Sequence, residues 1–204
     1  MSLTYILIIV TSIISIIAFQ NENLMNKYQF NAYQIKHLKQ PYRFITSAFL
    51  HANWIHLLVN MFVLYFFGTA VEYYYKASFQ EKYILYFLLL YFGGAIFSVL
   101  STYKKHQDNY YYNALGASGA VSAVLTASVI FNPLSNICLY GIICFPGIVW
   151  VVIYIAYSYY ASKNPDSKTN HEAHLWGCIF GIVFTLILKP SLGLTFIDKI
   201  SRIL

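Results

Sequence analysis

Six apolar stretches decide what this chain can fold into. They run at about residues 3–19, 55–75, 83–103, 119–131, 141–161 and 173–188. A helix needs roughly 17–25 apolar residues to cross a bilayer core of about 30 Å. Lipid offers no partner to a backbone N–H or C=O, so only helices and closed barrels cross it, and runs this long are helices. The composition agrees. Charged residues are 10% of the chain and hydrophobic ones 59%, where a soluble domain carries about 25% charge. The expectation is an all-α, polytopic membrane protein: a single transmembrane domain over residues 1–204, folded as a six-helix bundle without internal repeat or linker.

The remaining features fit that frame. The 20 tyrosines suit the two membrane interfaces, where amphipathic rings are favoured. The net charge of +6 spreads over many loops; it suits contact with anionic membrane lipids and excludes a nucleic-acid patch. Leu3–Phe19 has no basic residue ahead of it and no small-residue cleavage site, so it reads as a retained helix. The polar stretch Gln20–Phe44, which holds Pro41-Tyr42-Arg43, is long enough to be functional or partly embedded. Ser191–Leu204 reads as a weakly amphipathic surface segment. Cys138, Cys144 and Cys178 have no paired spacing and read as small buried hydrophobes, with neither a disulfide nor a metal site expected.

Six spans put both termini on one side, so spans two, four and six all start from the other. The polar residues of interest lie at those three starts. The fourth span opens Gly116-Ala117-Ser118-Gly119 and is short: 13 residues from Gly119 to Phe131 make about 20 Å of helix. If it reaches one membrane face, Ser118 lies roughly 10 Å below the other, where a hydroxyl needs a partner and a source of water. Alone, the stretch reads equally as a helix-packing patch with an incidental serine. The second span opens His51…His56…Asn60. His56 and Asn60, four apart, share a helix face; they read as an interhelical hydrogen-bonding pair or as groups that bind a ligand or electrophile. His51, nearer the interface, reads as structural. The sixth span opens His171-Glu172-Ala173-His174. Its stripe Ala173, Gly177, Gly181 matches a stripe Gly119, Ala123, Ala127 in the fourth, and two such stripes permit close backbone approach. That would set His174 beside Ser118. A membrane histidine alone reads as packing or proton relay; beside a sunken serine it reads as a general base. Ser118 and His174 would then supply nucleophile and base, with the Ser118 amide, His56 and Asn60 as oxyanion donors. Glu172 faces elsewhere on its helix, so a dyad is expected rather than a triad.

These residues together resemble the rhomboid family of intramembrane serine proteases. Gly116-Ala117-Ser118-Gly119, His51…His56…Asn60 and Ala173-His174-x-x-Gly177-x-x-x-Gly181 occur in the family's order across nearly the whole chain. The resemblance implies Ser118 as nucleophile, His174 as base, and His56, Asn60 and the Ser118 amide as the oxyanion hole, without metal or cofactor. It implies supporting roles for His51, Gly116, Gly119, Gly177 and Gly181. Tyr42-Arg43 resembles the family's Trp-Arg motif, and Gly68-Thr69-Ala70-Val71-Glu72 the end of its second helix, where the acidic residue holds neighbouring structure. Ser122 departs from the pattern: the best-known members carry Tyr there, packed on the catalytic His. Trp176 or one of Tyr110–Tyr112 is expected to support His174 instead. The resemblance further implies transmembrane protein substrates, lateral entry near helices two and five, a cap at Asn164-Pro165-Asp166-Ser167, and a cell-membrane location with cytoplasmic termini. Basic residues argue the reverse orientation, with Lys76, Lys82, Lys189, Lys199 and Arg202 on the inside and eight lysines and arginines outside. A non-proteolytic relative that binds membrane clients, and a transporter using His56, Asn60 and His174 as relays, are the competing readings.

Overall fold

The computed structural model of the chain describes residues 2–139, 142–164, 167 and 169–201. Helix α1 (Leu3–Phe19) shows at once which medium the fold is built for. It buries Thr4, Leu7, Thr11, Ser15 and Ala18 and exposes Tyr5, Ile6, Ile9, Val10, Ile13, Ile16 and Ile17. Polar and small groups face inward and large apolar ones outward. That reverses a helix in water and suits one in lipid, where small residues make helix contacts.

Residues Gln20–Phe44, expected as a loop, hold α2 (Glu22–Tyr28) and α3 (Ala32–His37), and α4 (Arg43–Thr46) closes the segment. Asn21 and Asn31 start the first two by accepting from the N–H groups of Leu24 and Gln34, the usual N-cap bond. The segment is folded around Arg43, which is buried. Its guanidinium donates to the carbonyls of Asn26 (3.0 Å) and Gln29 (2.7 Å) and to the side chains of Gln34 and Gln40. Such a rigid fork of donors suits converging carbonyls better than a lysine would. Outside the bundle, Lys36 and His37 donate to Asp108 and hold its carboxyl below the usual range.

The stretch Trp54–His106 is helical over 53 residues and apolar enough to cross a membrane. It comprises α5 (Trp54–Val63), a π-helical turn at Leu64–Gly68, α6 (Thr69–Phe79), a 3₁₀ turn at Gln80–Lys82, α7 (Tyr83–Ser98) and α8 (Leu100–His106). Gln80 has a positive φ of 50°, and there the chain doubles back so that α6 packs on α7. After α9 (Ser118–Phe131) come two strands, β1 (Asn136–Leu139) and β2 (Ile143–Pro146), then α10 (Gly147–Ala161), α11 (His171–Leu188) and α12 (Ser191–Ser201). Of these, α11 also has the length and composition of a span; α1, α9 and α10 are apolar and shorter, at 17, 14 and 15 residues.

Contacts between ends give the directions. Lys189 reaches Ser78, Lys199 reaches the Phe131 carbonyl, and Glu72 meets Ser2, all at one end. At the other, Ser15 meets His51 and Asn170 meets Thr102. Successive long helices therefore alternate, and α5, α9 and α11 all begin at the second end. The central helix is α9, with 11 of its 14 residues buried among α5, α6, α7, α10, α11 and α12. Glycine, alanine, serine and threonine on all its sides let neighbours approach from every direction.

Two expectations fail between α9 and α10. The fifth helix was expected from Gly141, which lies outside the described residues, but α10 starts only at Gly147. Pro146 explains this: it has no N–H to donate and disfavours helix in the residue before it. The preceding residues pair as an antiparallel hairpin with Cys138 opposite Cys144, joined as a disulfide. The reading of these two as buried hydrophobes is therefore corrected; both are exposed, and the hairpin register, not their spacing along a helix, brings them together. Cys178 is free and buried. Pro165 and Asp166 of the expected cap lie outside the described residues.

Glu72 at the far end closes α1. Its carboxylate accepts from the Leu3 and Thr4 N–H groups, both at 2.9 Å, and from the Ser2 hydroxyl. Negative charge on a helix N-terminus is stabilising. Glu72→Ala is expected to lower unfolding stability by about 1–3 kcal/mol, with Glu72→Gln milder because it keeps one acceptor; thermal melting in detergent measures both.

Candidate active site

The site begins at the N-cap of α5. Asn53 accepts from the His56 N–H at 2.8 Å, which starts the helix at Trp54 and puts His56 in its first turn. The His56 ring lies on Gly116, where a Cβ would fall 2.6 Å from its Cε1. Gly116 also has φ +126°, so this position needs glycine for both space and backbone conformation. One turn on, Asn60 is buried and its amide donates to the His56 carbonyl at 2.8 Å. A carboxamide has a second N–H and an oxygen to offer.

His51 is fully buried and ties three segments together. The Ala117 N–H donates to its Nε2 at 3.4 Å, its Nδ1 lies 2.9 Å from Ser15 Oγ, and that hydroxyl donates to the Phe49 carbonyl. These roles fit one neutral tautomer, with the proton on Nδ1. His51 thereby holds the turn just before Ser118 against α1, and its ring meets that of His56 at 4.9 Å.

Ser118 is the first residue of α9 and half-buried. First-turn N–H groups of a helix have no intrahelical acceptor, so the Ser118 amide stands where such donors are free to meet an anion. A small cavity of about 20 Å³ beside it is lined in part by Ser47, Ser98, Gly119, Asn170 and Ala173. Asn170 caps α11 by accepting from the Ala173 N–H at 3.0 Å, so α11 starts at His171, two residues before the apolar run.

The α9–α11 contact brings these parts to one place. A Cβ on Gly177 would collide with the Gly119 carbonyl and lie 3.1 Å from the Gly119 Cα; one on Gly181 would collide with the Ala123 carbonyl. Thr126 Oγ1 donates to the Cys178 carbonyl at 3.1 Å. Backbone meets backbone within one turn of both Ser118 and His174, so the two residues open adjacent helices at the same end. Their side chains are not hydrogen-bonded to each other among the described residues, as is common before substrate tightens such a pair. Glu172 accepts from the Ser101 hydroxyl and so is turned from His174.

The ring expected to support His174 comes from elsewhere. Trp176, Tyr110 and Tyr111 are exposed, and Tyr112 stacks on His106. It is Tyr154 of α10 whose ring stacks on His174, with centroids 5.9 Å apart and planes at 28°. Its hydroxyl lies 2.9 Å from Ser122 Oγ. His171 meets the imidazole edge-on at 5.6 Å. Nothing in the sequence marks Tyr154 among the tyrosines of α10; only the partner left by Ser122 could have pointed to it.

Residues 38–191 match the family described as the Rhomboid domain. Among similar proteins, "RHOMBOID-like protein 12, mitochondrial" of Arabidopsis thaliana is 28% identical over 170 residues, covering 78% of this chain and 49% of that protein. "Rhomboid-like protein 11, chloroplastic" of the same plant is 28% identical over 163 residues, 72% of this chain and 52% of its own length. "Presenilin-associated rhomboid-like protein A, mitochondrial" of Danio rerio is 30% identical over 148 residues, 68% and 35%. The chain spans about half or less of the length of these relatives. With the domain matched over most of its length, and with helices built to face lipid, the chain belongs to the rhomboid family.

Proposed function

We propose that this protein is an intramembrane serine endopeptidase that cleaves transmembrane or juxtamembrane segments of other membrane proteins with a Ser118–His174 dyad. One observation carries the reading: the backbone contact of Gly177 with Gly119, which sets the serine opening α9 and the histidine opening α11 at the same end of adjacent helices. In the reaction His174 takes the Ser118 proton as Oγ attacks the peptide carbonyl. The oxyanion is met by the Ser118 amide, His56 and the free N–H of Asn60. His174 then protonates the leaving amine, and water, activated by the same imidazole, releases the acyl group.

The alternating helices form six membrane spans on this reading, with Ser118 sunk below one surface. A peptide bond in a helix is shielded by its own hydrogen bonds, so substrates carry small or helix-weakening residues at the cut. They enter from lipid beside α5 and α10, whose outer faces are apolar. The termini are cytoplasmic and the site opens outward. The opposite orientation has two observations in its favour: the basic-residue count, and the Cys138–Cys144 disulfide at the end away from Ser118, a bond that reducing compartments seldom keep. Labelling by a membrane-impermeant maleimide after reduction decides between them.

The purified protein in lipid, mixed with a membrane-spanning reporter, is expected to cut it within or beside its span, as mass spectrometry of the fragments reads. Retention of the reporter uncut would favour the client-binding reading instead. Asn60→Ala is expected to slow cleavage by about 10²-fold, the usual cost of one oxyanion donor, with substrate binding unchanged.

A further inference from the structure

We propose that Tyr154 of α10 is the positioning residue for His174, with Ser122 as its anchor on α9. The inference rests on the dyad reading and goes beyond it by naming what holds the base. A dyad lacks the carboxylate that fixes the imidazole in a triad, and among the described residues Glu172, the acidic side chain nearest in sequence, is engaged by Ser101. His174 sits in the first turn of α11, where its side chain projects toward α10 and its backbone is held by the α9 contact. Its χ angles need a wall. Tyr154 supplies one face, stacked at 5.9 Å, and His171 stands edge-on at 5.6 Å.

The wall is itself fixed. Tyr154 has two side-chain torsions, and the hydrogen bond of its hydroxyl to Ser122, 2.9 Å long, determines where the ring lies. Ser122 is buried and four residues after Ser118, so it lies on the same face of α9 one turn on. Nucleophile and anchor are thus on one rigid helix, and the base is held against both through a single ring. A serine at this position, too short to reach the imidazole, acts at second hand through the tyrosine. A second rung, Tyr157 against His171 at 5.3 Å, continues the α10–α11 packing. It follows that a displacement of α10 releases His174.

The test uses the full chain in lipid with the membrane-spanning reporter. Tyr154→Phe keeps the ring but loses its hydrogen bond to Ser122, and is expected to lower kcat by about two- to tenfold, the worth of one hydrogen bond. Tyr154→Leu removes the stack and is expected to lower kcat by about 10- to 100-fold with KM unchanged, since proton transfer and not binding depends on the imidazole's orientation. Ser122→Ala breaks the same hydrogen bond from the other side and is expected to match Tyr154→Phe, short of the loss in Tyr154→Leu. Melting temperature is read in parallel. If Tyr154→Leu does not fold, Tyr154→Met, flexible and of similar reach, and Ser122→Ala carry the test. Wild-type kcat in a folded Tyr154→Leu or Tyr154→Met overturns the proposal, as does a loss confined to KM. No cleavage by the wild-type protein would instead overturn the dyad reading, so the two failures are told apart.

Discussion

Ser118→Ala and His174→Ala are each expected to bring cleavage of a membrane-spanning reporter to below about 10⁻⁴ of the wild-type rate, with the protein still folded. The size follows from the role proposed for each group. Without the hydroxyl no acyl-enzyme forms, and without the imidazole the hydroxyl stays protonated and the leaving amine receives no proton. Members of such a unit are worth about 10⁴–10⁶ in rate when removed singly, and 10⁴ corresponds to about 5.5 kcal/mol of barrier. Folding is spared for reasons visible in the structure. Ser118 is half-buried, and alanine keeps its Cβ and loses only the hydroxyl. His174 is held at its backbone by the packing of α11 on α9, so truncation removes one stacked ring and about 0.5–1.5 kcal/mol of aromatic contact. A variant cutting at even a tenth of the wild-type rate would exclude the dyad.

Gly177→Val should be the most damaging change outside the reacting groups. Its Cβ would be driven into the Gly119 carbonyl, with the carbonyl carbon 3.0 Å away. Both partners are backbone within helices, so neither yields as a side chain would, and α9 and α11 must separate. Overpacking of this kind costs about 1–3 kcal/mol, occasionally more, and a shift of about 1 Å between reacting groups costs about 10²-fold in rate. The expected result is a melting temperature well below wild type together with a loss of at least 10²-fold in activity. Gly193→Ala is the control, because its Cβ would meet only the end of the Leu186 side chain at 3.8 Å; both properties should stay near wild type. A Gly177→Val protein with native activity would show that the approach of the two backbones does not place the site.

Much of this was legible in the sequence, and the parts that were not share a cause. Apolar runs mark helices because lipid leaves the backbone no alternative, and the small residues that open α9 around Ser118 marked it as a helix that others can approach closely. The contact of α9 with α11 could be anticipated because small residues, glycine or alanine, recur every four positions in both, a pattern that states which faces meet. The stretch before α5 carried no such pattern: its short helices depend on Asn21 and Asn31 as caps and on carbonyls gathering around Arg43, all non-periodic. The hairpin at Cys138–Cys144 was hidden because strand and helix both accept apolar residues, and only Pro146 argued against helix. Tyr154 was hidden for another reason. Its role is a relation among three helices, and in the sequence it is one apolar-run tyrosine among several.

Activation of the Ser118 hydroxyl by the His174 imidazole can be read without any substrate, from the rate of fluorophosphonate acylation. A single adduct is expected, mapped by peptide mass to Ser118 and forming at least about 10²-fold more slowly in His174→Ala, the lower bound for a general base. An adduct on another residue, or an unchanged rate in His174→Ala, would contradict that activation.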